Sequence, residues 1–192
     1  MKDLETERYW LRKPSMEDAE EIYEKWGTDK EKMAEYKEYN KHRNIIETRA
    51  LLETAIKECE FGTPYWFIEE KETHAIVGYI KVIAASIKDK KCKVAFYFLE
   101  PWRYDNTPQE ILRKVINYLF TERRIETIIM GFFAVRKENT EFLDKILKEI
   151  GMKREGILRN RLINSEGKKV NQYIYSILKE EWAEDNKQVQ QK

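Results

Sequence analysis

"FFAVRKENTEFLDKILKEIGMKREGILRN", residues 132 to 160, is the stretch on which the fold turns. An apolar run ends at Val135, and after Asn139-Thr140 apolar residues return at helical spacing through Phe142, Leu143, Ile146, Leu147 and Ile150. Gly151 follows, and the chain re-emerges as "MKREGILRNRLINSEGKKVNQYIYSIL", a hairpin predicted to turn at "SEGK". The stretch therefore joins a buried strand, "ETIIMGFFAV", through a helix to an antiparallel pair.

Upstream, "PWRYDNTPQEILRKVINYLF" (101 to 120) reads as a strand end, a tight turn and a helix over about 107 to 123. Before it, "YWFIEEKETHAIVGYIKVIAASIKDKKCKVAFYFLE" (65 to 100) reads as a three-stranded antiparallel meander with turns near "KETH" and "KDKK". At the start, "RYWLRK" alternates like a strand, and Ser15 with Asp18 caps a helix in "MEDAEEIYEKW". "TDKEKMAEYKEYNKHRN" and "IIETRALLETAIKECE" continue helically and stop near Gly62. The summed order is a mixed α/β sheet with one strand-helix-strand crossover in mid-chain. A single domain is expected over residues 1–182, with a polar tail at 183–192.

Composition narrows the function classes. At 192 residues with 42% hydrophobic and 37% charged side chains, the chain is long enough for one substantial core under a charged surface. A net charge of +1 exerts no general pull toward nucleic acid or membrane, and no nucleic-acid-binding module is legible. Cys59 and Cys92 lie far apart without metal-ligand spacing, so neither a disulfide framework nor a metal site is expected. No apolar segment approaches the ~20 residues that span a bilayer, and a cytoplasmic location is expected.

The stretch 132–160 resembles the GNAT superfamily of N-acetyltransferases, and within it the RimJ/RimL-like branch that acetylates protein N-termini and small amines. The likeness is carried by Val135, Asn139-Thr140, Ile150-Gly151-Met152 and Arg154-Glu155-Gly156, by the opening "TERYWLRKPSMEDAEEIYEKW", and by the glycine-bearing strand "AIVGYI". It covers roughly residues 5 to 180. It implies a mixed, mostly antiparallel central sheet flanked by helices, and transfer of an acetyl group from acetyl-CoA to a primary amine.

The resemblance further implies that the pyrophosphate is held by the turn at Arg103, Tyr104, Asp105, Asn106, Thr107 and Gln109, with Asn139 on the pantetheine arm. It also places the amide that polarises the thioester carbonyl near Phe98 and Leu99. Tyr97 and Glu100 are the candidates for proton transfer. Tyr36, Tyr39, Trp102 and Tyr173 are the candidates for lining an amine pocket. The partner is thus an amine acceptor, a peptide N-terminus or a small molecule, and a homodimer is compatible with the sequence.

The turn departs from the family pattern. Arg103 keeps its first position, but Asn106 and Pro108 stand where glycines belong, and no glycine occurs between Gly78 and Gly131. Asn106 can enter the left-handed region, whereas Pro108 has no N–H. Thr107 at the N-cap, Pro108 at N1 and Glu110 at N3 are expected to form a capping box that occupies two of the phosphate donors and adds a repelling carboxylate. A GNAT-fold binding or regulatory protein that has lost acetyl transfer through this glycine-free turn is therefore the alternative to an enzyme.

Overall fold

A computed structural model describes residues 1–28, 42–164 and 167–183. Its centre is one eight-stranded sheet in the order β1-β2-β3-β4-β5-β6-β8-β7. The strands are β1 (Leu4–Glu5), β2 (Tyr9–Arg12), β3 (Tyr65–Glu70), β4 (Ile76–Ser86), β5 (Lys91–Phe98), β6 (Thr127–Phe133), β7 (Lys153–Ile163) and β8 (Lys169–Leu178). All neighbours are antiparallel except β5 and β6, which are joined by the expected crossover. The mixed, mostly antiparallel α/β architecture is thus the one the sequence predicts.

Among the described residues four α-helices flank the sheet: α1 (Ala19–Ile22), α2 (Ile45–Glu60), α3 (Thr107–Thr121) and α4 (Lys137–Glu149). The predicted helix after Ser15 is real but irregular, with a 3-10 turn at Met16–Asp18 and a π turn at Tyr23–Gly27 on either side of α1. Its capping box forms, since Asp18 Oδ2 accepts from the Ser15 amide at 2.8 Å and Ser15 caps the turn in return. Asn44 caps α2 by accepting from Ile46 and Glu47, and Gly62, at φ 87°, ends it. Much of "TDKEKMAEYKEYNKHRN" and the "SEGK" turn lies outside the described residues.

Strand alternation divides the core in two. Val94 and Phe98 of β5 pack with Ile111, Val115 and Ile116 of α3 and Ile146 and Leu147 of α4. Tyr79 of β4 and Tyr97 of β5 point to the opposite face, among Ala19, Ile22, Leu52 and Ala55 of α1 and α2. The faces communicate at one place. Ladder pairing between β5 and β6 runs from Lys91↔Thr127 to Val94↔Met130 and then stops, although both strands continue. Beyond Val94 the strands separate and leave a gap through the sheet.

Candidate active site

The gap is a cavity of about 250 Å³ lined from both faces of the sheet. Tyr79 and Lys81 of β4, Lys93 to Phe98 of β5 and Gly131 to Phe133 of β6 form its walls, with Asn139 and Leu143 of α4 on one side and Arg161 and Gln172 of the β7–β8 hairpin on the other. Asn139 and Leu143 are one helical turn apart and so share a face.

Backbone geometry decides what β5 offers the gap. The Leu99 N–H donates to Val77 O at 2.8 Å, so Leu99 and Val77 form a hydrogen-bonded pair. The next pair, Gly78 with Phe98, must then turn its donors and acceptors away from each other. The Phe98 amide consequently faces the gap, while that of Leu99 is spent within the sheet. Gly78 is required here: a Cβ on it would lie 2.1 Å from Tyr97 O and 3.2 Å from Phe98 Cα.

The turn before α3 is built differently from the expected capping box. The helix starts at Thr107, with Asn106 at the N-cap and no side-chain cap from it. Asp105 Oδ1 accepts from the Thr107 amide at 2.6 Å, and the Thr107 hydroxyl is buried against Tyr9 Oη at 2.7 Å. Thr107 therefore offers no free donor. Glu110 turns outward from its own helix to accept from the Arg8 backbone N at 3.1 Å and Arg8 Nε at 2.8 Å. Arg8 Nη1 also reaches Asp105 Oδ2 at 3.5 Å, so one guanidinium offsets both carboxylates of the turn.

Burial pushes the Glu110 carboxyl up, but hydrogen bonds from Thr6 and Arg8 outweigh it and hold it below the ordinary value. With Thr107 and Glu110 engaged elsewhere, the N–H groups of Asn106 and Gln109 have no partner among the described residues. Asn106 sits at φ −79°, so the turn makes no demand for left-handed backbone that only glycine would meet. The residues present fit a phosphate group: two free amides at the start of a 15-residue helix, beside carboxylates already paired.

The other sequence candidates separate. Tyr97 lines the cavity, with the Arg103 guanidinium 4.9 Å from its ring centre and Trp26 edge-on at 5.8 Å. Arg103 is buried beneath the turn, its Nε donating to Phe98 O at 3.0 Å, and so lines the cavity instead of the outer phosphate-facing surface. Asn139 is buried in the cavity wall at the third position of α4, where it accepts from the Tyr104 hydroxyl; it does not cap the helix. Tyr104 packs edge-on against Phe142.

Glu100 lies at the surface, accepting from Tyr104 at 3.3 Å, because the chain leaves the sheet after Leu99 and turns. Trp102 donates to Glu70 at 2.9 Å, and Tyr173 stacks on Phe132 beneath α4; the structure brings neither to the cavity. Tyr36 and Tyr39 lie outside the described residues.

Lys93, Gly131 and Gln172 were not singled out from the sequence. Lys93 had a signal, because its neighbours Cys92 and Val94 are apolar and alternation sends it to the opposite face.

The acetyltransferase (GNAT) domain model matches residues 8–153. The chain belongs to the GNAT acetyltransferases. Among relatives of this GNAT protein, the uncharacterized N-acetyltransferase YoaA of Bacillus subtilis strain 168 is 26% identical over 179 residues, covering 92% of this chain and 96% of its own. The ribosomal-protein-S5-alanine acetyltransferase of Vibrio fischeri superposes with a TM-score of 0.78 at 16% identity, over 95% of this chain and 99% of the other. The microcin C7 self-immunity acetyltransferase MccE, solved with acetyl-CoA and AMP, superposes with a TM-score of 0.74 at 16% identity, over 90% and 93%. The open sheet flanked by helices is thus the GNAT fold, and this GNAT chain is an acetyltransferase.

Proposed function

We propose that residues 1–182 form one cytoplasmic N-acetyltransferase domain of RimJ/RimL-like type that moves an acetyl group from acetyl-CoA to a primary amine, either a peptide α-amine or a small molecule. The observation that carries this reading is the gap between β5 and β6. The Phe98 N–H is a donor facing it, and the amides of Asn106 and Gln109, without a partner among the described residues, stand at the start of α3, the helix that follows β5.

Acetyl-CoA, when bound, supplies an acyl group on a sulfur leaving group. Asn106, Gln109 and the α3 dipole would hold the pyrophosphate, and the buried Asn139 would hold the pantetheine arm. The Phe98 amide, fixed by the sheet, is preorganised to hold a carbonyl oxygen, and such a donor costs no reorganisation as charge develops. Tyr97 and Tyr79 wall the side from which an acceptor would enter. The amine must lose its proton before it attacks; the described cavity lining holds no carboxylate, and of the two proton-transfer candidates Tyr97 is the one that lines the cavity.

Titration of acetyl-CoA by calorimetry tests this. Micromolar binding is expected, weakened about tenfold in Asn139→Ala through loss of one good hydrogen bond. Thiol release with an amine panel should follow. No heat and no thermal shift at millimolar donor would overturn the reading in favour of a GNAT scaffold that binds without transfer.

A further inference from the structure

The cavity is chemically lopsided on the side that faces α1 and α2. Lys93 points there, since Cys92 and Val94 on either side of it are buried under α3. Arg161 reaches the same cavity from β7. Neither side chain has an ion pair or hydrogen bond with any described residue, and no described carboxylate lines the cavity. Lys81, the neighbouring cation, is already matched by Glu58 at 3.3 Å. Two cations left unmatched around a cavity attract an anion and repel a polycation.

A third group belongs to the same place. Gln172 is only 6% exposed, yet its carboxamide has no hydrogen bond to any described residue. Gln172 lines the cavity, so its carboxamide is placed to pair with a polar group that enters there. Gly131 lies beside it, and glycine is needed there because a Cβ would come within 2.7 Å of Tyr173 O, while Gln172 Nε2 would be in ordinary contact at 3.6 Å. The donor phosphates do not account for these groups, because the α3 turn lies across the sheet. At about 250 Å³ the cavity lies just below the ~300–1,000 Å³ of pockets for drug-sized ligands, which suits a small acceptor.

We propose, resting on the acetyltransferase reading, that the acceptor is a small primary amine bearing its own anionic group, a carboxylate or a phosphate, held by Lys93 and Arg161 with Gln172 donating at the cavity floor. Arg161 can grip either anion with two parallel hydrogen bonds, while Lys93 acts as a point charge. Spermidine and other polyamines are excluded by repulsion.

The test measures thiol release at saturating acetyl-CoA with alanine, 2-aminoethyl phosphate, alaninamide and spermidine. One of the two anionic amines should exceed alaninamide and spermidine at least tenfold in kcat/KM, and which one it is identifies the anion. In Lys93→Gln and Arg161→Gln that ratio should fall about tenfold, mainly through KM, while Lys169→Gln, on the same hairpin but outside the cavity, keeps it. Equal rates with alaninamide, preference for spermidine, or an unchanged ratio in both variants would overturn the proposal while leaving the transferase reading intact. Should acetyl-CoA itself fail to bind, the transferase reading falls. The anion site is then read by thermal shift with N-acetylalanine against N-acetylalaninamide: stabilisation by the acid alone, lost in Arg161→Gln, supports it, and equal shifts overturn it.

Discussion

The α3 turn and the cavity between β5 and β6 arrange charge in opposite ways. At the α3 turn the charges are matched, with Arg8 set against Asp105 and Glu110, and the free donors are backbone amides. In the cavity Lys93 and Arg161 are unmatched among the described residues, and the groups on offer are side chains. Backbone donors do not depend on side-chain identity except at proline, so the glycine-free turn lacks an amide at Pro108 yet keeps those of Asn106 and Gln109. Side-chain charges depend on residue identity, so on the reading proposed above the cavity is the place where one acceptor is distinguished from another.

Gly78 lies between the two regions and tests both at once. Gly78→Ala drives a Cβ into the β5 backbone, where no rotamer can relieve it, and should cost about 3 kcal/mol, or roughly 6–12 °C in Tm. Acetyl-CoA binding should fall with it, because the Phe98 amide moves; a variant with native Tm and affinity would show that the sheet yields at this point.

Charge matching at the turn is tested by pH. Because the folded Glu110 carboxyl is held below its ordinary value of 4.5, its contribution is complete above the unfolded pKa and is lost as pH falls through the folded value. Thermal melts of the wild type should therefore decline below about pH 4.5. Glu110→Gln should start about 1 kcal/mol lower at neutral pH and show a shallower acid decline. Parallel pH profiles would mean that Arg8 and Glu110 contribute no net coupling.

The smallest effect is expected from restoring a glycine. Asn106→Gly should change acetyl-CoA affinity by less than about twofold, since φ is already negative there, and should cost about 0.5–1 kcal/mol of stability through the freer unfolded chain. A gain of tenfold or more in affinity by calorimetry would show that the bound turn needs the left-handed region after all.

The order of elements was legible because it depends on neighbours along the chain. Alternation in 65–100, helical spacing after Asn139 and the Ser15–Asp18 box each predict an element that the structure contains. The site was legible only in part. Tyr97, Arg103 and Asn139 do reach the cavity, whereas Glu100, Trp102 and Tyr173 do not. The capping box failed for a physical reason: Thr107 and Glu110 have compatible local partners, but Tyr9 and Arg8, about a hundred residues earlier, compete better.

From its sequence alone this protein's strand and helix order and single crossover follow, because hydrophobic period and capping act within a few residues, while its family follows from the motifs it shares with the GNAT acetyltransferases. Tertiary structure alone decided which amides remain free, which carboxylates are neutralised and which cations share a cavity. Those outcomes depend on β2 meeting the start of α3 and on β7 and β8 closing over β5 and β6, contacts between segments far apart in sequence, on which local pattern carries no information.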